Sequence, residues 1–152
     1  MRKSQLLFLT LFLAGCSHTP LSLVPLDGSQ TNDLSRASVI MEDQHHPVLL
    51  RGLDGVPVKS MMVPNALWEY AYVISAGTHV FWAKSGASYP LIPQRIRCYL
   101  LHVELAPGGR YLLKEDAKEK KAFLVITATG EIVSTGELVD EPWVFMKDCT
   151  WD

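Results

Sequence analysis

Cys98 and His102 stand four residues apart in residues 96–105 (IRCYLLHVEL). A thiol beside an imidazole could supply a nucleophile and its base. Read as a strand, the segment holds the two about 13 Å apart, too far for that contact. His45-His46 is the pair most suggestive of a metal site. Adjacent strand residues face opposite ways, and a surface loop before Pro47 accounts for the pair more simply. Glu42 with Asp43, and Glu115 with Asp116, are adjacent acids in expected loops. A catalytic acid pair needs one carboxyl raised in pKa by an apolar pocket, and no pattern places these in one. Residues 114–121 (KEDAKEKK) read as a solvated, charge-mixed hairpin loop. Residues 85–90 (SGASYP) read as a flexible loop rather than a nucleophile site. The HExxH, GxSxG, phosphate-loop and CxxC patterns are absent. The expectation is a non-enzyme with no catalytic residue, no metal ligand and no cofactor.

Trp68, Tyr70, Tyr72, Phe81 and Trp82 form a dense aromatic set across what reads as one hairpin. Aromatic pairs across strands stabilise a sheet and fill a core. Phe81 and Trp82 are neighbours, so strand alternation turns one of them outward. Trp68, Tyr70 and Trp82 are therefore the candidate binding residues, a platform for a protein or glycan partner. Residues 75–103 hold Lys84, Arg95 and Arg97 and no acid. That excess reads first as a solvated surface and second as an anionic-ligand site.

The elements that must position these residues follow an N-terminus of a distinct kind. Met1-Arg2-Lys3 is cationic, residues 6–14 (LLFLTLFLA) are apolar all round, and Gly15 precedes Cys16. These are the parts of a secretion signal. The apolar run is too short to span a bilayer, which takes about 20 residues. Leu13-Ala14-Gly15-Cys16 resembles the lipobox of bacterial lipoproteins. The resemblance implies cleavage after residue 15 and lipidation of Cys16, with diacylglyceryl on the thiol and usually an acyl chain such as palmitate on the new amine. Two or three chains make a stable anchor. Ser17 rather than Asp after the cysteine implies the outer membrane, with the domain facing the periplasm.

Residues 1–15 thus read as a signal peptide and 16–38 as a lipidated N-terminus and tether, rich in Ser, Pro and polar residues. Leu21, Leu23, Val24 and Leu26 warn that part of the tether docks on the domain, which is placed at 39–152 as a β domain with a covering C-terminal tail. Cleavage lowers Lys plus Arg from 14 to 12 against 16 acids, a net charge of −4. Nucleic acid, which calls for a basic face, is not an expected partner. With Cys16 carrying lipid, Cys98 and Cys149 remain, and two cysteines in an oxidising compartment most simply pair. The closed loop of about 50 residues is worth roughly 4 kcal/mol in the chain-entropy model.

From residue 37 onward the signals are those of strands. Runs at 39–41, 48–53, 68–74, 78–83, 96–105, 110–114, 122–128 and 131–134 are separated by turn residues. Asp54-Gly55 between Leu53 and Val56 is a tight-hairpin signal. Hairpins are also expected at residues 75–77, 106–109 and 129–130, the second with type II chemistry from Pro107 and Gly108. Such spacing points to an all-β fold, a β-sandwich of the immunoglobulin or transthyretin type with about 7–9 short antiparallel strands. Within 96–105, Tyr99, Leu101, Val103 and Leu105 share the core face. Cys98 takes the other face, where a tail bearing Trp143, Val144, Phe145, Cys149 and Trp151 could cross over Leu100. The last residues, from Glu137, are expected to hold a helical turn or that tail.

The turns at residues 53–57 (LDGVP), 74–80 (ISAGTHV) and 105–111 (LAPGGRY) resemble those of PEGA-like β-sandwich modules in envelope lipoproteins. Ala76 departs from the usual Pro, and the insertion at residues 59–66 is not typical. The resemblance implies a structural place for His79 and a non-enzymatic envelope module. The expected function is a lipid-anchored binding or assembly module for an envelope protein partner. The alternative is a periplasmic inhibitor of a cell-wall-degrading enzyme, whose basic surface would suit the negative charge.

Overall fold

The computed structural model describes residues 21–29, 32–43, 48–58, 70–85, 94–143 and 149–151. Ten strands form among them, and no helix: β1 (Ser22–Pro25), β2 (Ala37–Glu42), β3 (Val48–Leu53), β4 (Val56–Pro57), β5 (Tyr70–Ser75), β6 (Gly77–Ser85), β7 (Cys98–Leu105), β8 (Arg110–Asp116), β9 (Lys121–Ile126) and β10 (Ile132–Asp140). Alternation makes them strands. In β7, Tyr99, Leu101, Val103 and Leu105 are buried, while His102 and Glu104 are exposed. Every second side chain thereby leaves water on one face of the sheet.

Hydrogen bonding joins all ten strands into one curled, mixed sheet, a half-barrel, in the order β1-β5-β2-β8-β9-β10-β7-β6-β3-β4. Two pairings, β1 with β5 and β2 with β8, are parallel where antiparallel strands were expected. The corner is β10. Its residues Ile132, Ser134, Thr135 and Gly136 pair with β9, and Glu137, Leu138 and Asp140 pair with β7, with a register shift in each stretch. Gly136 stands at the crossing, where an added Cβ would lie 2.7 Å from Leu101 Cγ. The two halves share one core, in which Ile40, Tyr72, Leu113 and Leu124 from one side meet Leu50, Phe81 and Leu101 from the other.

The Asp54-Gly55 hairpin forms between β3 and β4, and the hairpin at Gly130 forms between β9 and β10. The other two expected hairpins do not. β5 pairs with β1 and β2, whereas β6 pairs with β3 and β7. β7 and β8 likewise lie in different halves. The turns at Ser75–Gly77 and at Ala106–Gly109 are thus corners that carry the chain across the core. Tyr72 and Ile74 can face Phe81 across the interior only in that arrangement. The Pro107-Gly108 turn keeps its local geometry, with φ of 70° at Gly108 and the Gly109 N–H donating to the Ala106 carbonyl at 3.0 Å.

Two boundaries differ from the sequence reading. Ser22–Pro25, inside the expected tether, is strand β1, and β2 starts at Ala37 rather than at residue 39. The warning carried by Leu23, Val24 and Leu26 is met, since Val24 and Leu26 pack against the core. At the other end, residues 137–140 extend β10 instead of making a helical turn.

Candidate functional site

β1 and β4 are the two outermost strands of the half-barrel. The Leu26 N–H donates to the Val73 carbonyl at 2.8 Å, and the Val58 N–H donates to the Arg51 carbonyl at 2.8 Å. Backbone donors alternate sides along a strand. Pro25 and Pro57 therefore occupy the positions whose nitrogens face away from the partner strands, and proline has no N–H to offer there. Both edges are blunted against strand addition. At this seam lies a groove of about 460 Å³, walled by Val24 and Leu26 on one side and by Leu53, Val56, Pro57 and Val58 on the other. Val56 is 66% exposed.

Two turns of the same kind close one end of the groove. Asp54 and Gly55 have φ of 50° and 81°, and Asp27 and Gly28 have φ of 51° and 80°. Both are positive, as a type I′ turn requires, and Asp and Gly are residues that accept that region. The two aspartates also line the groove. Asp27 accepts hydrogen bonds from the Ser29 and Ser75 hydroxyls and from the Ser75 N–H at 3.1 Å. Asp54 accepts from the Val80 N–H at 2.7 Å and contacts His79 Nδ1 at 2.7 Å. His79 Nε2 lies 2.9 Å from the Ser75 carbonyl oxygen, so Ser75 and His79 link the two turns into one rim. Partial burial pushes the Asp27 carboxyl up, but the hydrogen bonds from Ser29 and Ser75 outweigh it and hold the group below its ordinary 3.8.

Inside the half-barrel, Glu42 fastens the two halves to each other. Its carboxylate accepts from the Leu50 N–H of β3 at 2.6 Å and from the Tyr70 hydroxyl of β5 at 2.7 Å. Burial raises the Glu42 pKa above its ordinary value, and those two hydrogen bonds and the Arg51 charge offset only part of the rise. Burial, followed by the bond to Glu42, pushes Tyr70 up to about 12. Burial also raises Tyr72, which meets Tyr70 edge to face at 5.6 Å between ring centroids. A second network ties β7 to β8: Glu115 accepts from Arg97 Nε and from the Tyr99 hydroxyl, at 2.6 Å for the latter. The bond to Glu115 raises Arg97, and burial raises Tyr99. Glu42 and Glu115, read from sequence as loop acids, are thus strand residues holding the interior together.

Of the candidate binding aromatics, Tyr70 and Trp82 lie on opposite faces of the sheet. Tyr70 points into the interior on β5. Trp82, on the outer face of β6, stacks on Trp151 of the tail at 5.5 Å and 4° between planes. Gly52 makes room for it, since a Cβ there would lie 2.2 Å from Trp82 Cε3. Cys98 and Cys149 are joined in a disulfide. They form a second small core with Ile96 and Trp151, and the Trp151 indole N–H donates to the Tyr99 carbonyl at 3.3 Å. Residues 149–151 lie on the outer face, where strand alternation put the bond to Cys98, and the disulfide takes the Cys98 thiol away from any chemistry with His102. Nor do the basic residues make a free anionic-ligand site. Arg95 lies over Trp143 at 4.9 Å, Arg97 binds Glu115, and Lys84 has a partner of its own. Cys16, the signal segment, His45-His46, Trp68, the 59–66 insertion, the 86–90 loop, Val144 and Phe145 lie outside the described residues. The groove-lining Asp27 was missed in the sequence, although Asp27-Gly28 repeats the Asp54-Gly55 signal.

Among the described residues, no three His, Cys, Asp or Glu side chains gather to hold a metal ion, and no helix is long and apolar enough to cross a membrane. No protein-family model, characterised protein or solved structure matches the chain.

Proposed function

We propose that the protein is a lipid-anchored, non-catalytic binding module of the cell envelope, held to the outer membrane through Cys16 and facing the periplasm. The observation that carries the binding reading is the seam, an apolar groove between two sheet edges that proline withholds from strand pairing. A concave surface lined by six apolar side chains from two strand edges has the form of a docking site. The anchor rests on the lipobox-like residues 13–16. The shared core between two opposed halves and the turns at residues 53–57, 74–80 and 105–111 support a kinship in form with PEGA-like sandwich modules, as one continuous sheet.

The test is in the native cell. A photo-crosslinking amino acid at position 56 is expected to capture the same envelope component reproducibly. Capture is expected to be lost, and the protein to leave the membrane fraction, when Cys16→Ala removes the lipid site. A Cys16→Ala protein that stays in the membrane would overturn the anchor. A crosslinker at position 56 that captures nothing beyond background would overturn the binding reading. A captured wall hydrolase would move the assignment to an inhibitor.

A further inference from the structure

The groove has a polarity as well as a shape. Of its eight lining residues, six are apolar and two are charged, and both charges are carboxylates. Asp27 and Asp54 sit on the rim that Ser75 and His79 bind together, with His79 paired to Asp54, so both carboxylates lie where the two turns meet. Asp27 accepts from the hydroxyl and backbone N–H of both Ser29 and Ser75, and meets a cation through its charge, whereas Asp54 keeps lone pairs for a further donor. The side chain of Asp54 is 45% exposed, so it remains open to a visitor. An occupant complementary to this arrangement is apolar along its body and cationic at one end.

The walls restrict the occupant further. A peptide strand would need backbone donors and acceptors in series along β1 or β4. Pro25 and Pro57 each remove an outward donor, which leaves β1 with Leu23 alone to offer one. The groove, at about 460 Å³, has the size of a small-molecule site, about 300–1,000 Å³. With the backbone donors so thinned, contact comes chiefly from side chains and charge.

We propose that the seam groove binds a single-chain amphiphile with an amine head group, its aliphatic chain against Val24, Leu26, Val56 and Val58 and its ammonium at Asp27 and Asp54. This rests on the reading of the seam as the working surface of a membrane-anchored binding module. An anchored protein is held where amphiphiles are concentrated, and the groove begins at β1, the first strand among the described residues. The ammonium replaces part of its hydration shell with two fixed carboxylates, while the chain leaves water along the apolar walls.

The experiment uses the full mature chain in nanodiscs of zwitterionic lipid, with three twelve-carbon probes that carry a diazirine on the chain. Their heads are a primary amine, a carboxylate and an uncharged glucoside. Photolabelling is mapped by mass spectrometry. The amine probe is expected to label the peptides holding Val24–Leu26 and Val56–Val58 at about tenfold lower concentration than the other two. Asp27→Asn with Asp54→Asn is expected to abolish that preference and leave chain-dependent labelling in place. Asn accepts the left-handed turn conformation, and an unchanged thermal midpoint would confirm that the double variant is folded. Labelling indifferent to the head group, or labelling confined to other peptides, overturns the proposal. If that happens while the position 56 crosslinker still captures a protein in cells, the amphiphile assignment alone falls. If both fail, the binding module falls with it.

Discussion

At neutral pH the fold holds the Glu42 carboxyl inside the half-barrel, against the Leu50 N–H and the Tyr70 hydroxyl. Burial raises its pKa above the ordinary 4.5, so folding favours its neutral form. The stability this gives is complete below 4.5 and is lost as pH rises through the elevated folded value. Glu42→Gln keeps an acceptor for Leu50 and a group able to bond Tyr70, and it has no charge to bury. Relative to the parent, the variant should gain in thermal midpoint as pH rises from 4.5 to neutrality, since only the parent then has a charge to bury. Melts followed by circular dichroism across that range test it, and parallel pH profiles would show that the carboxyl stays solvated. At this scale the sequence was legible where a residue's role is local. Asp54-Gly55 announces its turn, and two spare cysteines leave one pairing. It was illegible where the role is made by assembly. Nothing in Glu42-Asp43 says that one acid reaches across the core to another strand's N–H.

Elements divide in the same way. Strand positions could be read because one face of each is apolar, and β7 alternates from Tyr99 to Leu105 as expected. The two false hairpins were misread because a turn motif describes four residues and not where the next strand goes. Ser75–Gly77 reverses the chain whether it stays in a sheet or crosses the core, and the choice is made by what Ile74 and Phe81 bury. β1 escaped notice because four residues containing a proline are a weak strand signal. The tail is the element whose hold is most concentrated. A disulfide spanning 51 residues, the Trp82–Trp151 stack and the Trp151 hydrogen bond hold its last described residues to the sheet, and Trp143 is held by its bridge to Arg95. Replacing both Cys98 and Cys149 with Ala should cost about 4 kcal/mol by the chain-entropy account. Urea denaturation measures the loss. An equal midpoint in the two proteins would mean that the tail holds without its bond.

Taken whole, the described residues form a sheet that curls into a half-barrel and stops. Composition and turn spacing gave the all-β class, but closure depends on strand order, which is fixed by long-range pairs that a local pattern does not encode. β1 carries much of the consequence. Deleting residues up to 29 would uncover the edge of β5 and strip Val24 and Leu26 from the core margin. The shortened protein should lose ~2–3 kcal/mol from those two side chains and should associate through the bare edge. Light scattering after size-exclusion chromatography, beside amide exchange in β5, checks both effects. A monomer with unchanged exchange in β5 would show that β1 is dispensable.

The parallel pairing of β1 with β5, from Ser22 beside Tyr70 to Pro25 beside Val73, also has a mechanical meaning. If Cys16 carries lipid, any pull between membrane and domain enters the fold at the start of β1. Ladder hydrogen bonds lie across the strands they join. A force along β1 is therefore shared by the whole short ladder and does not open it one bond at a time. The element that takes this load is also one wall of the groove. Tension on the anchor would slide away that wall before it disturbed the sheet beyond β5, and the occupant would leave with it. An envelope stretched away from what lies beneath would then empty the seam by strain alone.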